Sequence, residues 1–268
     1  MDKKIGFIGC GNMGEAILKG ITTSFDNSEN IYIYTKTEKT QSRLQENYKI
    51  NILKSSVEVA RTSDIIFLAV KPNIFPTIMN EIKNVIDNSK IIISIAAGVT
   101  IDTLENGLGK NNKIIRTMPN TPASVGMGMT SFSPNKNITK DDLVMVQEIL
   151  KSFGLAEEVD ESLIHSVIGV SGSSPAYVFM FIESMADAAV KGGMPRDKAY
   201  KFAAQSIMGA AKMVLDTGIH PGVLKDMVCS PGGTTIEAVA ELERTGFRNS
   251  IISAMTKCMN KSKEMSKN

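Results

Sequence analysis

The chain has 268 residues, 43% hydrophobic and 22% charged, which excludes a disordered or collagenous chain and is long enough for one large domain or two ordinary ones. Thirty Lys and Arg against 28 Asp and Glu leave a net charge of +2, too small to point to nucleic acid or an anionic membrane, so a small molecule is the expected partner. Three cysteines without a CxxC pair, and two histidines without a second ligand at helical spacing, argue against a disulfide framework and against a metal.

The N-terminus passes from Lys3-Lys4 into a short apolar run that meets glycine at once, so no secretory leader fits. The longest unbroken aliphatic stretch, residues 65–70, is far short of the ~20 residues of a membrane span. The expected location is the cytoplasm.

Short β-branched runs at residues 4–9, 31–35, 64–70, 90–95 and 113–118 alternate with helical spacing at 13–23, 38–46 and 73–85. Ile65-Ile66-Phe67-Leu68-Ala69-Val70 and Ile91-Ile92-Ile93 are apolar on both alternating faces, as strands covered by helices on both sides must be. The expectation is a parallel, doubly wound α/β sheet. A Gly/Met/Ser/Pro stretch at 126–134 then leads to an amphipathic helix at 140–152 and a short strand near 155–159. From residue 161 only helices are expected. Those at 174–191 and 196–216 are rich in Ala and Met, and their covering surface is read as part intrachain core and part subunit interface. This divides the chain into residues 1–160, a Rossmann-like domain, and 161–268, an all-helical domain ending in a solvated, fraying Lys-rich helix at 257–268.

Gly9-Cys10-Gly11-Asn12-Met13-Gly14 is a GxGxxG that follows the first strand and opens a helix. In that setting the first two glycines allow a tight turn and close approach of a pyrophosphate to the helix N-terminus, and the third allows close helix–sheet packing. Cys10 between them reads as a small filler. The second strand ends where an NAD site would usually carry Asp or Glu, and the residues there are Thr35-Lys36-Thr37. Two hydroxyls and a lysine can donate to a 2′-phosphate that a carboxylate would repel, so NADP(H) is expected, with NAD(H) left open.

Farther along come Ala69-Val70-Lys71-Pro72, Ser94-Ile95-Ala96-Ala97-Gly98-Val99-Thr100, Met118-Pro119-Asn120-Thr121-Pro122, Ser171-Gly172-Ser173-Ser174-Pro175-Ala176-Tyr177 and Ser230-Pro231-Gly232-Gly233-Thr234-Thr235-Ile236. In this order, from Ile5 to about Arg248, the chain resembles pyrroline-5-carboxylate reductase, the family that reduces a cyclic imine to proline. The resemblance implies that Ile8, Gly9, Cys10, Gly11, Asn12 and Met13 wrap the pyrophosphate and that Thr35 and Lys36 lie near the adenosine phosphate. It implies that Ala69, Val70, Lys71 and Pro72 with Ile95, Ala96 and Ala97 line the dinucleotide, that Asn120 lies near the nicotinamide, and that Ser230 to Thr235 form the substrate loop. A homodimer, assembled further into a higher oligomer, is the implied state. The chain departs from the family in carrying Thr35-Lys36 where Asn-Arg or Ser-Arg is usual, and Ser174 where a glycine is usual.

The residues themselves support such chemistry. Ser230, Gly232, Gly233 and Thr234 stand just before a helical stretch expected at 236–243, so free backbone N–H groups there can bind a small carboxylate. Reduction of a protonated imine needs little acid–base machinery, and the Thr235 hydroxyl is the candidate donor and acceptor at the ring nitrogen, the one catalytic residue expected. His220 reads as a surface or capping residue, His165 as a satisfied packing residue and Cys229 as a buried thiol. Two other functions remain open at this level. A β-hydroxyacid dehydrogenase would want a lysine projecting from the first long helix, and Lys191 lies only at its far end; a non-catalytic NADP-binding regulator would need no SPGGTT loop.

Overall fold

The computed structural model describes residues 3–266. The chain divides into two compact units after Gly172, and the first unit takes up the chain again from Met259.

In the first unit, strands β1 (Ile5–Ile8), β2 (Ile31–Tyr34), β3 (Asn51–Ile52), β4 (Ile65–Leu68), β5 (Ile91–Ser94), β6 (Lys113–Met118), β7 (Gly128–Pro134) and β8 (Gly154–Glu158) form one sheet in the order β3-β2-β1-β4-β5-β6-β7-β8. All neighbours run parallel except β6 and β7. Every residue of β1, β4 and β5 is buried, and Phe7 lies opposite Phe67 with ring centroids 4.9 Å apart.

Two apolar layers cover the sheet. Phe7, Ile33 and Phe67 meet helices α1 (Asn12–Ser24) and α2 (Glu38–Tyr48) and the later α6 (Lys140–Lys151) on one face. Ile8, Ile66 and Leu68 meet α3 (Ser56–Thr62), α4 (Phe75–Ile82) and α5 (Ile101–Leu108) on the other. Burial on both faces requires the continuous apolar strands seen in the sequence. Local capping fixes the helix starts: Ser55 accepts from the Glu58 N–H, Thr100 from the Thr103 N–H, and Thr139 and Asp142 form a capping box.

The sequence pattern does not reveal β3, α3, α5 or β7. The largest omission is β7, whose Gly/Met/Ser composition reads as a loop. Phe132 buries one of its faces in the core, while Ser131 and Ser133 are buried on the other, so that second face is buried through hydroxyl-bearing side chains.

After α7 (Ile164–Val167) a π-helical turn, Ile168–Gly172, ends the main stretch of this unit. The second unit contains α8 (Ser174–Lys191), α9 (Arg196–Thr217), α10 (Pro221–Val228), α11 (Thr234–Arg244) and the first part of α12 (Phe247–Met265). Its only buried hydrophobic side chains are Ala186, Ala199, Ala203 and Leu224, whereas Phe179, Met180, Phe202, Leu215 and Met227 are each more than 60% exposed. The helical run Glu161–Lys191 is, by length and composition, apolar enough to cross a membrane. Length and composition are all that this run shares with a membrane span, and Glu183 and Asp187 lie within it. The expected Lys-rich end is helical through Met265, and residues 267–268 lie outside the described part, as do residues 1–2.

Candidate active site

The sheet order reverses direction between β1 and β4, which leave from the middle in opposite senses, and such a switch point is where open α/β sheets hold ligands at the carboxyl ends of their strands. Both the GxGxxG turn after β1 and Ala69-Val70-Lys71-Pro72 after β4 arrive there. Gly9 has φ +81°, and a Cβ on it would come within 2.6 Å of Val70 Cγ1 and 2.8 Å of the Ala69 carbonyl oxygen, so glycine is required for both conformation and space. A Cβ on Gly14 would meet Ala69 Cβ at 3.2 Å, which sets how near α1 comes to the end of β4. Gly11 has nothing within 4 Å of such an atom, and it is the N-cap of α1 without any side-chain cap. The first-turn N–H groups of α1, with Asn12 exposed and Met13 half-buried, are therefore free to meet an anion.

Cys10 is buried, and burial, reinforced by the nearby Glu15 carboxylate, pushes its thiol up to about 12, the state of an inert filler. At the end of β2, Thr35 is 6% exposed and its Oγ1 has no hydrogen-bond partner, an orphaned hydroxyl that a ligand oxygen can satisfy. Lys36 beside it is exposed. The open space at Gly11, the uncapped α1 and the Thr35 hydroxyl together fit a phosphorylated dinucleotide.

Ala69 and Val70 are half-buried, Lys71 and Pro72 are exposed, and Ile95, Ala96 and Ala97 grade from half-buried through buried to exposed as β5 ends. Asn120 is different. Its side chain is buried and occupied: Nδ2 donates to the Ser171 carbonyl at 3.0 Å and Oδ1 accepts from the Met129 N–H at 2.8 Å. It ties the Met118-Pro119-Asn120 turn to β7 and to the π-helical turn. Arg116, 3% exposed, pairs with Glu161 at 2.8 Å, and the same carboxylate oxygen accepts from the Ile101 N–H at 2.9 Å. Nothing in the sequence pattern singles out this pair.

In the second unit, α11 starts at Thr234, two residues before the expected helix, because Gly233 serves as its N-cap. Gly233 donates to the Ser230 carbonyl at 3.0 Å, and Gly232 turns the chain at φ +67°, a conformation that favours glycine. No side chain caps α11. Thr234 and Thr235 occupy its first turn, with Thr234 exposed and Thr235 half-buried, so free N–H groups and a hydroxyl share one helix end.

The remaining candidates have structural roles. His220 Nδ1 accepts from the Gly222 N–H at 3.0 Å as the cap of α10, and His165 Nδ1 shares a hydrogen with Ser262 Oγ at 2.8 Å. Cys229 is half-buried, not fully buried as expected, because the chain leaves α10 there. Lys191 is exposed in the last turn of α8. Ser174 opens α8 in ordinary backbone, since Lys49 is the only non-glycine with positive φ among the described residues. No group of three or more His, Cys, Asp and Glu able to hold a metal occurs among those residues.

Residues 161–265 match the family model for pyrroline-5-carboxylate reductase dimerisation, and residues 4–98 match that for NADP oxidoreductase, coenzyme F420-dependent. The chain is 58% identical over 268 residues, 100% of both proteins, to pyrroline-5-carboxylate reductase of Escherichia coli (strain K12). The solved pyrroline carboxylate reductase of Plasmodium falciparum, with NADP bound, is 37% identical with TM-score 0.89 over 99% of this chain and 98% of that one. The enzyme from Coxiella burnetii is 33% identical with TM-score 0.94 over 100% of both chains. With such identity along its whole length, this chain belongs to the pyrroline-5-carboxylate reductase family.

Proposed function

We infer that the protein reduces 1-pyrroline-5-carboxylate to L-proline, an oxidoreductase acting on a C=N bond with NADP(H). The observation that carries this reading is the full-length identity with the E. coli enzyme, and the two uncapped helix N-termini supply a chemical basis for it. Bound NADPH supplies the hydride that the imine carbon accepts.

The chain's own residues bind and orient. Ile8 to Gly14 take the pyrophosphate through the N–H groups at the start of α1, and the buried Thr35 hydroxyl and the Lys36 ammonium take the ribose phosphate. Lysine cannot form the two parallel bonds of a guanidinium, so its contribution is charge more than geometry. Ala69 to Pro72 and Ile95 to Ala97 line the cofactor, and Asn120 holds its turn in place. Ser230, Gly232, Gly233 and Thr234 hold the substrate carboxylate at the start of α11. The Thr235 hydroxyl meets the ring nitrogen, which arrives as a cationic imine and leaves as an amine, so its orientation matters most in the transition state.

The functional division is residues 1–160 for NADP(H) and 161–268 for dimerisation and substrate, a reading supported by the start of the dimerisation match at residue 161. The exposed apolar face of the second unit is covered by a second copy, and not by lipid: Glu183 and Asp187 interrupt α8, and a bilayer would solvate neither. Dimers assemble further, and the enzyme works in the cytoplasm without nucleic acid. The experiment is NADPH oxidation followed by near-ultraviolet absorbance in the presence of pyrroline-5-carboxylate. Turnover with proline as product is expected; absence of turnover at every pH refutes the activity.

A further inference from the structure

The adenosine end of the first unit carries an ion pair to which the chemistry above gives no task. Arg43 in α2 holds Glu15 in the first turn of α1 through two bonds, Nη1 to Oε1 and Nη2 to Oε2, the second 2.7 Å long. The Tyr48 hydroxyl donates to the same carboxylate at 3.4 Å. The hydrogen bond from Arg43 keeps the Glu15 carboxyl below the usual range, so the pair is ionised at neutral pH.

Its place in the chain gives it meaning. α1 opens from the GxGxxG turn, and α2 opens directly from Thr35-Lys36-Thr37. Within that junction Gln41 Nε2 donates to the Thr35 carbonyl at 2.6 Å, and Thr37 Oγ1 donates to Thr40 Oγ1 at 2.8 Å, so the loop moves with α2. Packing fixes α2 only weakly, since Leu44 is its one buried residue. A bidentate guanidinium–carboxylate pair fixes orientation as well as distance. It ties the helix that carries the loop to the helix whose N-terminus faces the pyrophosphate.

We propose that the Glu15–Arg43 pair positions the Thr35-Lys36-Thr37 loop and thereby sets how strongly the enzyme favours NADP(H) over NAD(H). Arg43 is a positioning residue that acts through the loop. The proposal rests on the cofactor reading given above. NAD(H) lacks the phosphate that the loop meets, so its binding depends on α1 and the ends of β4 and β5 and is largely indifferent to where the loop sits. The pair is part-exposed and contributes little to global stability, so the variants fold.

The test is calorimetric titration of the wild-type enzyme, Arg43→Gln, Glu15→Gln and Arg43→Lys with NADP+ and with NAD+. Arg43→Gln and Glu15→Gln should each raise the NADP+ Kd about tenfold while changing the NAD+ Kd by less than about threefold, and Arg43→Lys should fall between them and wild type. Equal shifts for the two cofactors, or none, overturn the proposal and leave the cofactor reading intact. Tighter NADP+ binding by Glu15→Gln also overturns it, because simple charge repulsion would then be at work. A wild-type enzyme without preference for NADP+ overturns the cofactor reading itself, and the proposal with it.

Discussion

In the first unit every residue of β1, β4 and β5 is buried, and two apolar layers with Phe7, Phe67, Ile17 and Leu68 completely enclosed sandwich the sheet. In the second, α8 and α9 also carry many apolar residues, yet the residues they bury are all alanines, and Phe179, Phe202 and Leu215 stand largely in solvent. A sheet between two helix layers encloses its own large side chains within one chain. Long helices whose apolar residues project outward need cover from elsewhere, and in a dimerisation region a second copy supplies it. Composition alone does not separate these cases, since both regions are rich in aliphatic residues.

The same chemical deletion should therefore behave differently in the two units. Phe67→Ala, in the stacked pair at the centre of the sheet, should cost about 3–5 kcal/mol at any protein concentration, read from urea unfolding. The two proposed anion sites come next. Lys36→Glu should weaken NADPH binding by about 2–4 kcal/mol through lost attraction and added repulsion, with NADH affected far less; equal losses would remove the phosphate contact from the first unit. Thr235→Ala, in the second unit, should lower turnover by a factor of roughly 10 to 150, equivalent to about 1.5–3 kcal/mol, with a smaller effect on substrate binding. Thr234→Ala should do less, because a step of about 100° around the helix turns its side chain elsewhere. A crippled Thr234→Ala beside a near-normal Thr235→Ala would exchange their roles.

Phe202→Ala completes the comparison, with an expected loss of about 1–2 kcal/mol that shows as increased dissociation on dilution and vanishes at high concentration. A loss independent of concentration would make Phe202 an internal core residue after all. The smallest effect concerns His165, whose pKa is lowered first by burial and then by the Arg116 and Lys263 charges. A histidine with a folded pKa below its unfolded value near 6.5 stabilises the fold above that pH and loses the contribution as pH falls through the lowered value. His165→Gln should flatten the decline in thermal stability below about pH 6.5.

Much of this site is legible because its chemistry is made by backbone. Gly9 and Gly14, and later Gly232 and Gly233, are needed for conformation or close approach, while Gly11 leaves open space at the start of α1, and glycine spacing survives in a linear sequence. Asn120 reads as a ligand residue, but its amide is engaged by Ser171 and Met129, which lie 51 and 9 residues away. The Arg116–Glu161 and Glu15–Arg43 pairs leave no local signature either, since their partners lie 45 and 28 residues apart on separate elements. The serine-rich β7 escapes for a related reason: hydrophobic alternation cannot mark a strand whose second face buries hydroxyls.

The sequence by itself determined the parallel sheet, the dinucleotide turn, the acid-free end of β2 and the SPGGTT turn, because each depends on a local rule of periodicity, glycine spacing or charge. Tertiary structure alone decided which polar side chains are already engaged and which of two apolar regions covers itself. Burial and side-chain pairing belong to elements brought together from distant parts of the chain, and no local rule of sequence reaches across that distance.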